Sequence, residues 1–353
     1  MMSIPFVDLA ARHREAADAI EPAVLEILRS GRWVGGDGVA RAEAIAARWL
    51  GRSGAVGVAS GTDALILALQ AVGIGRGDEV VVPAVTFFAT AGAVLAVGAQ
   101  PVIADVGDDG LLDPEAAAAV CGPATRAVIP VHLFGSVARP LALDLVVIDD
   151  AAQAIGADRP GVGVLAAVST YPTKTWGTAG DGGFVVGDDP ELLGRVRRLA
   201  NHGAIEPGVY DLVTGHAGRA SRLDAVHAAV LVGHAAHLAD RVARRRALAA
   251  RYDDGMPRGL RIIPRSPGSA VHVYNVRTPD RDRLAKALAD RGIGTAVYYP
   301  RPLHHQPALR GAPLRRPAPV AEALCREILA LPIADLSADQ VDRVLDALRA
   351  EVR

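Results

Sequence analysis

The stretch Ala55-Val56-Gly57-Val58-Ala59-Ser60-Gly61-Thr62-Asp63-Ala64-Leu65 runs from a short apolar strand, through a glycine, into an apolar helix. Ala55–Ala59 reads as the strand and Thr62–Val72 as the helix. The unit repeats downstream. Strand candidates Glu79–Val82, Pro101–Ala104, Ala127–Val131 and Leu145–Ile148 alternate with helix candidates Thr90–Val97 and Pro114–Val120. Alternation of this kind predicts an α/β fold, a mostly parallel sheet with helices on both faces. Ligands of such sheets sit at the carboxyl ends of the strands, so the residues just after each strand are the ones to read for chemistry.

On the N-terminal side, Ala17–Leu28 and Val39–Leu50 have helical apolar spacing, separated by the Gly35-Gly36 break. On the C-terminal side, the segment from Phe134 to Leu145 is too short for a full crossover helix and holds Pro140. Gly182–Val186 reads as a turn into a strand, and Arg222–Tyr252 as a long helical run broken or bent at Gly233. Asp253–Gly259 has the composition of a linker. Beyond it, strands Val271–Val276 and Thr295–Tyr298 and helices Asp282–Arg291 and Ala338–Glu351 predict a smaller α+β unit. The expected division is a large α/β domain over residues 1–250, with the N-terminal helical segment, and a small C-terminal domain over 251–353.

Composition narrows the function classes. The chain has 353 residues, half of them hydrophobic, and a formal net charge of -1. Such a balance lacks the basic field that nucleic-acid binding needs. The start Met1-Met2-Ser3-Ile4-Pro5 has no basic region leading into an apolar run, so no secretory signal is expected. No stretch approaches the roughly 18 apolar residues of a membrane span. Cys121 and Cys325 are too few for a disulfide framework or a zinc site. A soluble cytoplasmic protein with no metal is the expectation. Of the 38 basic side chains only Lys174 and Lys286 are lysines and the other 36 are arginines, which a GC-rich coding bias explains. Where any cation serves, this chain uses Arg. A surviving Lys is therefore a candidate for a place where a guanidinium cannot serve, such as an amine that must lose its proton and attack a carbonyl.

Three segments carry groups suited to one ligand. Ser60-Gly61-Thr62-Asp63-Ala64 offers free N–H groups, a positive dipole end and a hydroxyl, which suit a phosphate. The plainer reading is an N-cap with Asp63 in the first turn, and on this segment alone it is preferred. Asp149-Asp150-Ala151-Ala152-Gln153 places two carboxylates after a buried strand, suited either to a cationic ring nitrogen or to helix capping. Ser169-Thr170-Tyr171-Pro172-Thr173-Lys174-Thr175-Trp176-Gly177 holds one of the two lysines among few charges. If buried, that lysine has a lowered pKa and a neutral, nucleophilic amine; otherwise it is a solvated surface lysine. A phosphate cradle, a carboxylate for a pyridinium and an amine for an aldehyde together match pyridoxal 5′-phosphate. No Gly-x-Gly-x-x-Gly turn follows the first strand to suggest a dinucleotide instead.

The same residues carry a resemblance. The chain resembles the DegT/DnrJ/EryC1/StrS family of sugar aminotransferases through ordered motifs spread over nearly its whole length. They are Ile4-Pro5-Phe6-Val7-Asp8-Leu9, Ser60-Gly61-Thr62-Asp63-Ala64-Leu65, Val82-Pro83-Ala84-Val85-Thr86-Phe87 and Val131-His132-Leu133-Phe134-Gly135. They continue with Asp150-Ala151-Ala152-Gln153-Ala154, Tyr171-Pro172-Thr173-Lys174, Gly180-Asp181-Gly182-Gly183 and Asn201-His202-Gly203. Arg222-Leu223-Asp224 and Tyr299-Pro300-Arg301-Pro302-Leu303-His304 complete the set. The resemblance implies a fold-type I pyridoxal phosphate enzyme with a seven-stranded-type central sheet. It implies that Lys174 bonds the cofactor aldehyde and that Asp150 pairs with the ring nitrogen. It places Gln153 near the ring 3′-oxygen, Phe87 on the ring face, and Gly61, Thr62 and Ser169 on the phosphate. Arg222, Tyr299 and His304 take substrate-side positions. Phe87 read alone is core packing, and His304 read alone is a loop histidine.

The implied activity is transfer of an amino group from an amino acid, L-glutamate, to a nucleotide-linked keto-deoxysugar at C3, by a homodimer with shared sites, in an antibiotic or glycan sugar route. The alternatives are a cyclitol ketone or aminoshikimate-type substrate, or a non-catalytic partner subunit. Sugar dehydratases of this superfamily carry His where Lys174 stands, which counts against that branch. Departures remain. Gly218-Arg219-Ala220-Ser221-Arg222 has Ala220 where the family has an Asn that reaches a phosphate across the dimer, and either Ser221 or Arg219 is a candidate substitute. His227 replaces a Gln, and Thr170 a Phe.

Overall fold

The computed structural model describes residues 3–158, 161 and 163–352. The chain opens with helices α1 (Leu9–Ser30) and α2 (Asp37–Leu50) and then alternates. β1 (Gly54–Val58), α3 (Gly61–Ala71), β2 (Glu79–Pro83), α4 (Ala89–Ala96), β3 (Gln100–Ala104), α5 (Pro114–Val120) and β4 (Thr125–Val128) follow. Next come β5 (Val146–Asp150), β6 (Leu165–Ser169), β7 (Gly183–Gly187), α6 (Pro190–Leu199), the hairpin β8 (Ala204–Glu206) and β9 (Val209–Tyr210), α7 (Ala225–Ala235) and α8 (Leu238–Gly255). β10 (Arg261–Ile262), β11 (Tyr274–Arg277), α9 (Arg281–Asp290), α10 (Pro319–Glu327), β12 (Ile328–Leu331) and α11 (Ala338–Glu351) complete it.

Seven strands form the central sheet in the order β1-β7-β6-β5-β4-β2-β3. All pairings are parallel except those of β7, which runs antiparallel to both β1 and β6. The strands are apolar runs with no alternation because both faces are covered. Val80, Val82 and Ile148 enter one buried cluster, and Val81, Val102 and Val128 another. Antiparallel β10, β11 and β12 make a second sheet, packed over Leu248 and Tyr252 of α8 and Val344 and Leu348 of α11. Ile4 bridges Ile293, so the first residues of the chain join this C-terminal sheet region. No described helix is long and apolar enough to cross a membrane.

Four expectations need correction. The run Arg222–Tyr252 is two helices parted at Ala236–His237, not at Gly233. Gly233 stays helical because a side chain there would meet Ile20 of α1 at 2.5 Å, so the glycine serves close helix packing. Thr295–Tyr298 forms no strand; it contributes a single bridge, Ala296 to Ala330. Strand β11 starts at Tyr274 rather than Val271, because the chain before it turns to lie against Phe134 and Gly135 through the Ala270 and His272 amides. β6 lies inside the sheet between β7 and β5, where no strand is expected from the sequence, since Leu165-Ala166-Ala167-Val168-Ser169 is short and alanine-rich. The segment between Phe134 and Leu145 holds no crossover helix, as expected. Leu141, Leu143 and Leu145 pack on the sheet in its place.

Candidate active site

The carboxyl ends of β1, β2, β5 and β6 open onto one cavity of about 620 Å³. The loops after them supply Ser60 and Gly61, Thr86 and Phe87, Asp150 and Gln153, and Ser169 and Lys174 to its wall. That is the place the topology reserves for a ligand, and the volume lies within the range of small-molecule sites.

Successive strand residues point to opposite faces, so Asp149 and Asp150 separate. Asp150 faces the cavity. Its carboxylate accepts from Thr90 Oγ1 at 2.8 Å and from the Ala152 N–H at 3.2 Å. Thr90 spends its proton on Asp150, so its oxygen is left to accept from Thr86, 2.9 Å away. Burial raises the Asp150 pKa, while the hydrogen bonds from Thr90 and Ala152 and the nearby Lys174 oppose that rise. Asp149 lies on the far face, accepting from the Gly163 N–H at 2.8 Å, with His132 Nε2 3.4 Å away. The cavity-side role thus falls to Asp150 alone.

Lys174 keeps some surface towards the cavity, while protein surrounds it on its other sides. Desolvation lowers its pKa from the ordinary 10.5 to about 8, with the Asp150 carboxylate opposing. About a tenth of the amine is then neutral at pH 7, far more than for an ordinary lysine, as a carbonyl nucleophile requires. Its backbone is fixed from below. Arg12 of α1 donates through Nη1 to the carbonyls of Pro172 (2.9 Å) and Lys174 (2.8 Å), and through Nη2 to Asp335 at 2.7 Å.

Ser60 caps α3 by accepting from the Asp63 N–H at 3.0 Å. Capping therefore operates, as the plainer reading held, and it leaves the N–H groups of Gly61 and Thr62 at the cavity edge. A side chain on Gly61 would stand 2.6 Å from Ser169 Cβ, so only glycine lets β6 close against the start of α3. Phe87 is exposed over the cavity with its ring 6.3 Å from that of Tyr299, not buried in the core. Gln153 Oε1 accepts from the Phe134 N–H at 2.6 Å, and its amide interacts with the Tyr299 hydroxyl. Burial raises the Tyr299 pKa against the effect of Gln153, so the phenol stays protonated.

Two expected substrate residues lie elsewhere. Arg222 is exposed, bonds Asn201 Oδ1 at 3.0 Å and does not line the cavity of its own chain. His304 is turned away from the cavity, beside Glu322 of α10. The candidates to replace the missing Asn are both engaged within the chain. Ser221 is buried and accepts from the Ala59 N–H at 3.2 Å, and Arg219 lies 3.5 Å from Asp63. Sequence reading missed His272 and Thr90. His272 lines the cavity beside Lys174 with Nδ1 3.3 Å from Thr175 Oγ1, and burial together with the Lys174 charge keeps it neutral. A single histidine in a strand candidate gave no signal of this. Thr90 had one, standing four residues after Thr86 on a helix start.

The donor set fits pyridoxal phosphate: a partly neutral amine, a buried carboxylate held by two donors, and a helix start closed against β6 by Gly61. Comparison with known proteins agrees. The profile of the DegT/DnrJ/EryC1/StrS aminotransferase family matches residues 14–349. The chain is 42% identical to dTDP-3-amino-3,4,6-trideoxy-alpha-D-glucose transaminase of Streptomyces venezuelae, over 98% of this chain and 95% of that protein. It is 39% identical to the erythromycin biosynthesis sensory transduction protein EryC1 of Saccharopolyspora erythraea, over 99% and 100%. Among solved structures, S. venezuelae DesV in complex with a ketimine intermediate superposes with a TM-score of 0.92 at 40% identity, covering 99% of both chains.

Proposed function

Because the chain belongs to the DegT/DnrJ/EryC1/StrS aminotransferase family, whose cofactor is pyridoxal 5′-phosphate, we propose that it aminates C3 of a nucleotide-linked keto-deoxysugar with L-glutamate as donor. The observation that carries this reading is the pairing of Lys174 and Asp150 across one cavity at the strand ends. The 3-amino sugar in the name of the Streptomyces relative supports the position of amination, and the relative named for erythromycin biosynthesis supports an antibiotic route. A non-catalytic subunit, which the words sensory transduction suggest for that second relative, has no use for a buried lysine beside a buried carboxylate.

When bound, the cofactor supplies an electron sink for the carbanion formed at the amino acid's α-carbon. Lys174 would hold it through its amine, and the free amine would move the α-proton as base and then acid. Its lowered pKa places the conjugate acid near the working pH, where it serves in both directions. Asp150 keeps the ring nitrogen protonated, and Thr90 fixes the carboxylate's orientation. Of the cavity's lining residues, Phe87 and Tyr299 would wall the ring, Gln153 would serve the 3′-oxygen, and Gly61, Thr62 and Ser169 would hold the phosphate.

The active form is a homodimer with shared sites. The exposure of Arg222 away from its own cavity, and of Trp33, Val34, Ile205 and Tyr210, supports it. We also place a domain boundary near residue 250, supported by a C-terminal sheet built from residues after 260. Adding L-glutamate to the holoenzyme should convert the pyridoxal spectrum to the pyridoxamine one, and a nucleotide-linked 3-keto sugar should restore it. Lys174→Ala should abolish both changes. A wild-type protein whose spectrum glutamate leaves unchanged, or full turnover by Lys174→Ala, overturns the proposal.

A further inference from the structure

Outside the cavity, three metal-binding side chains meet where the 3₁₀ turn Leu303–His305 faces α10. One nitrogen from each of His304 and His305 and one oxygen of Glu322 all lie within 4.8 Å of one another. His304 Nε2 stands 3.5 Å from Glu322 Oε1, and the two imidazole rings are 4.4 Å apart between centroids. The His304 side chain is 5% exposed, yet both its ring nitrogens lack a hydrogen-bond partner. Buried polar atoms seldom go unpaired, because each one that does destabilises the fold. A buried imidazole that makes no well-formed hydrogen bond, grouped with a second imidazole and a carboxylate, offers a ligand set for a cation.

We propose that His304, His305 and Glu322 bind a zinc-class divalent cation. Two nitrogens and one oxygen suit zinc or cobalt, whereas calcium and magnesium call for oxygens. Tetrahedral sites with three protein ligands keep a fourth position for water. Here the exposed His305 and half-exposed Glu322 leave that position open to solvent. The carboxylate of Asp105, held by the Val320 and Ala321 N–H groups, adds negative charge near the His304 ring. With metal–ligand bonds of about 2.0–2.1 Å, the ligand atoms must close by about 1 Å, a movement within reach of the surface rotamers of His305 and Glu322.

The site has a structural consequence for the cavity. Leu303 N–H donates to the Ala84 carbonyl at 2.8 Å, and Ala84 begins the loop that carries Thr86 and Phe87. A cation joining the turn to α10 therefore stiffens a wall of the cavity without touching its contents.

The test uses untagged holoenzyme freed of metal by dialysis against chelator. Calorimetric titration with zinc should give one site per chain. Cobalt should add visible bands of tetrahedral nitrogen and oxygen ligation without the thiolate charge-transfer band that binding at Cys121 would bring. His305→Ala and Glu322→Gln, both at the surface, should each weaken zinc binding at least tenfold. His13→Ala, a surface histidine on α1, should leave it unchanged. A wild type that takes up no stoichiometric zinc, a thiolate band with cobalt, or a His305→Ala protein that binds as the wild type does overturns the proposal.

Discussion

Arg12 offers the sharpest test of how the lysine is held. Its guanidinium is almost wholly buried and joins three parts of the chain: α1, the Lys174 loop and the turn before α11. Arg12→Ala leaves Asp335, 10% exposed, without its cation and takes the donor from two carbonyls. Breaking one side of a buried pair costs about 3–5 kcal/mol. Unfolding entropy near 2.1 cal/mol/K per residue, over 353 residues, amounts to roughly 0.7 kcal/mol/K, so Tm should fall by about 4–7 °C. Arg12→Met with Asp335→Leu removes both charges and should recover most of that loss, giving a coupling energy of a few kcal/mol in the cycle. Because Arg12 grips the Lys174 carbonyl itself, the amine should also lose its aim. The rate of the glutamate half-reaction should drop on the order of 10²-fold while glutamate KM changes little. Differential scanning calorimetry and stopped-flow absorbance read the two effects. An Arg12→Ala protein that melts within 1 °C of wild type and turns over normally would refute the clamp.

Asp150→Asn keeps the shape of the Thr90 contact but removes the charge facing the ring nitrogen; cofactor should stay bound while kcat falls on the order of 10²–10³-fold in steady-state assay. Gly61→Ala drives a methyl group to 2.6 Å from Ser169 Cβ and parts the start of α3 from β6, so a fluorescence titration should show cofactor affinity about tenfold weaker, near 1.4 kcal/mol. In the cofactor-free protein, Lys174 titrates near 8 when folded and at the ordinary 10.5 when unfolded. Below pH 8 both states hold the proton and the full cost of burying it is present. Above pH 8 the unfolded chain holds more protons, so stability rises with pH, by up to about 3 kcal/mol. The tyrosines Tyr252 and Tyr274, whose pKa values burial raises, oppose this above about pH 10. The thiols Cys121 and Cys325, whose pKa values burial also raises, oppose it from about pH 9, so the prediction lies in the difference: chemical denaturation from pH 7 to 10 should show a more positive slope in the wild type than in Lys174→Met, and equal slopes would contradict the desolvated amine.

The parts of the fold that sequence reading reached are those where local pattern and tertiary need coincide. β2 and β3 are apolar runs after glycine turns, and burial on both faces confines their polar residues, Glu79 and Gln100, to the half-buried first position of each strand. β6 and β12 escaped for the opposite reason. Leu165–Ser169 is alanine-rich and Ile328–Leu331 follows α10 without a break, so only their neighbours in the sheets make them strands. α6 was legible in principle, since Asp189 caps it and Pro190 opens it.

The site divides along the same line. Lys174, Asp150 and Gly61 were readable because each answers a chemical demand that few residue types meet. His272 and Arg12 were not, because what they do depends on contacts to residues 97 and 162 positions away along the chain. Arg12 even ran against the useful signal, being one of 36 arginines and so unremarkable by type. Scarcity picked out Lys174, and abundance concealed the residue that holds it. The same distinction explains His304. Its motif placed it on the substrate side, but the fold turns the ring toward α10. Motif order along a chain records which residues arrive together, and the direction each side chain takes is set afterwards by packing.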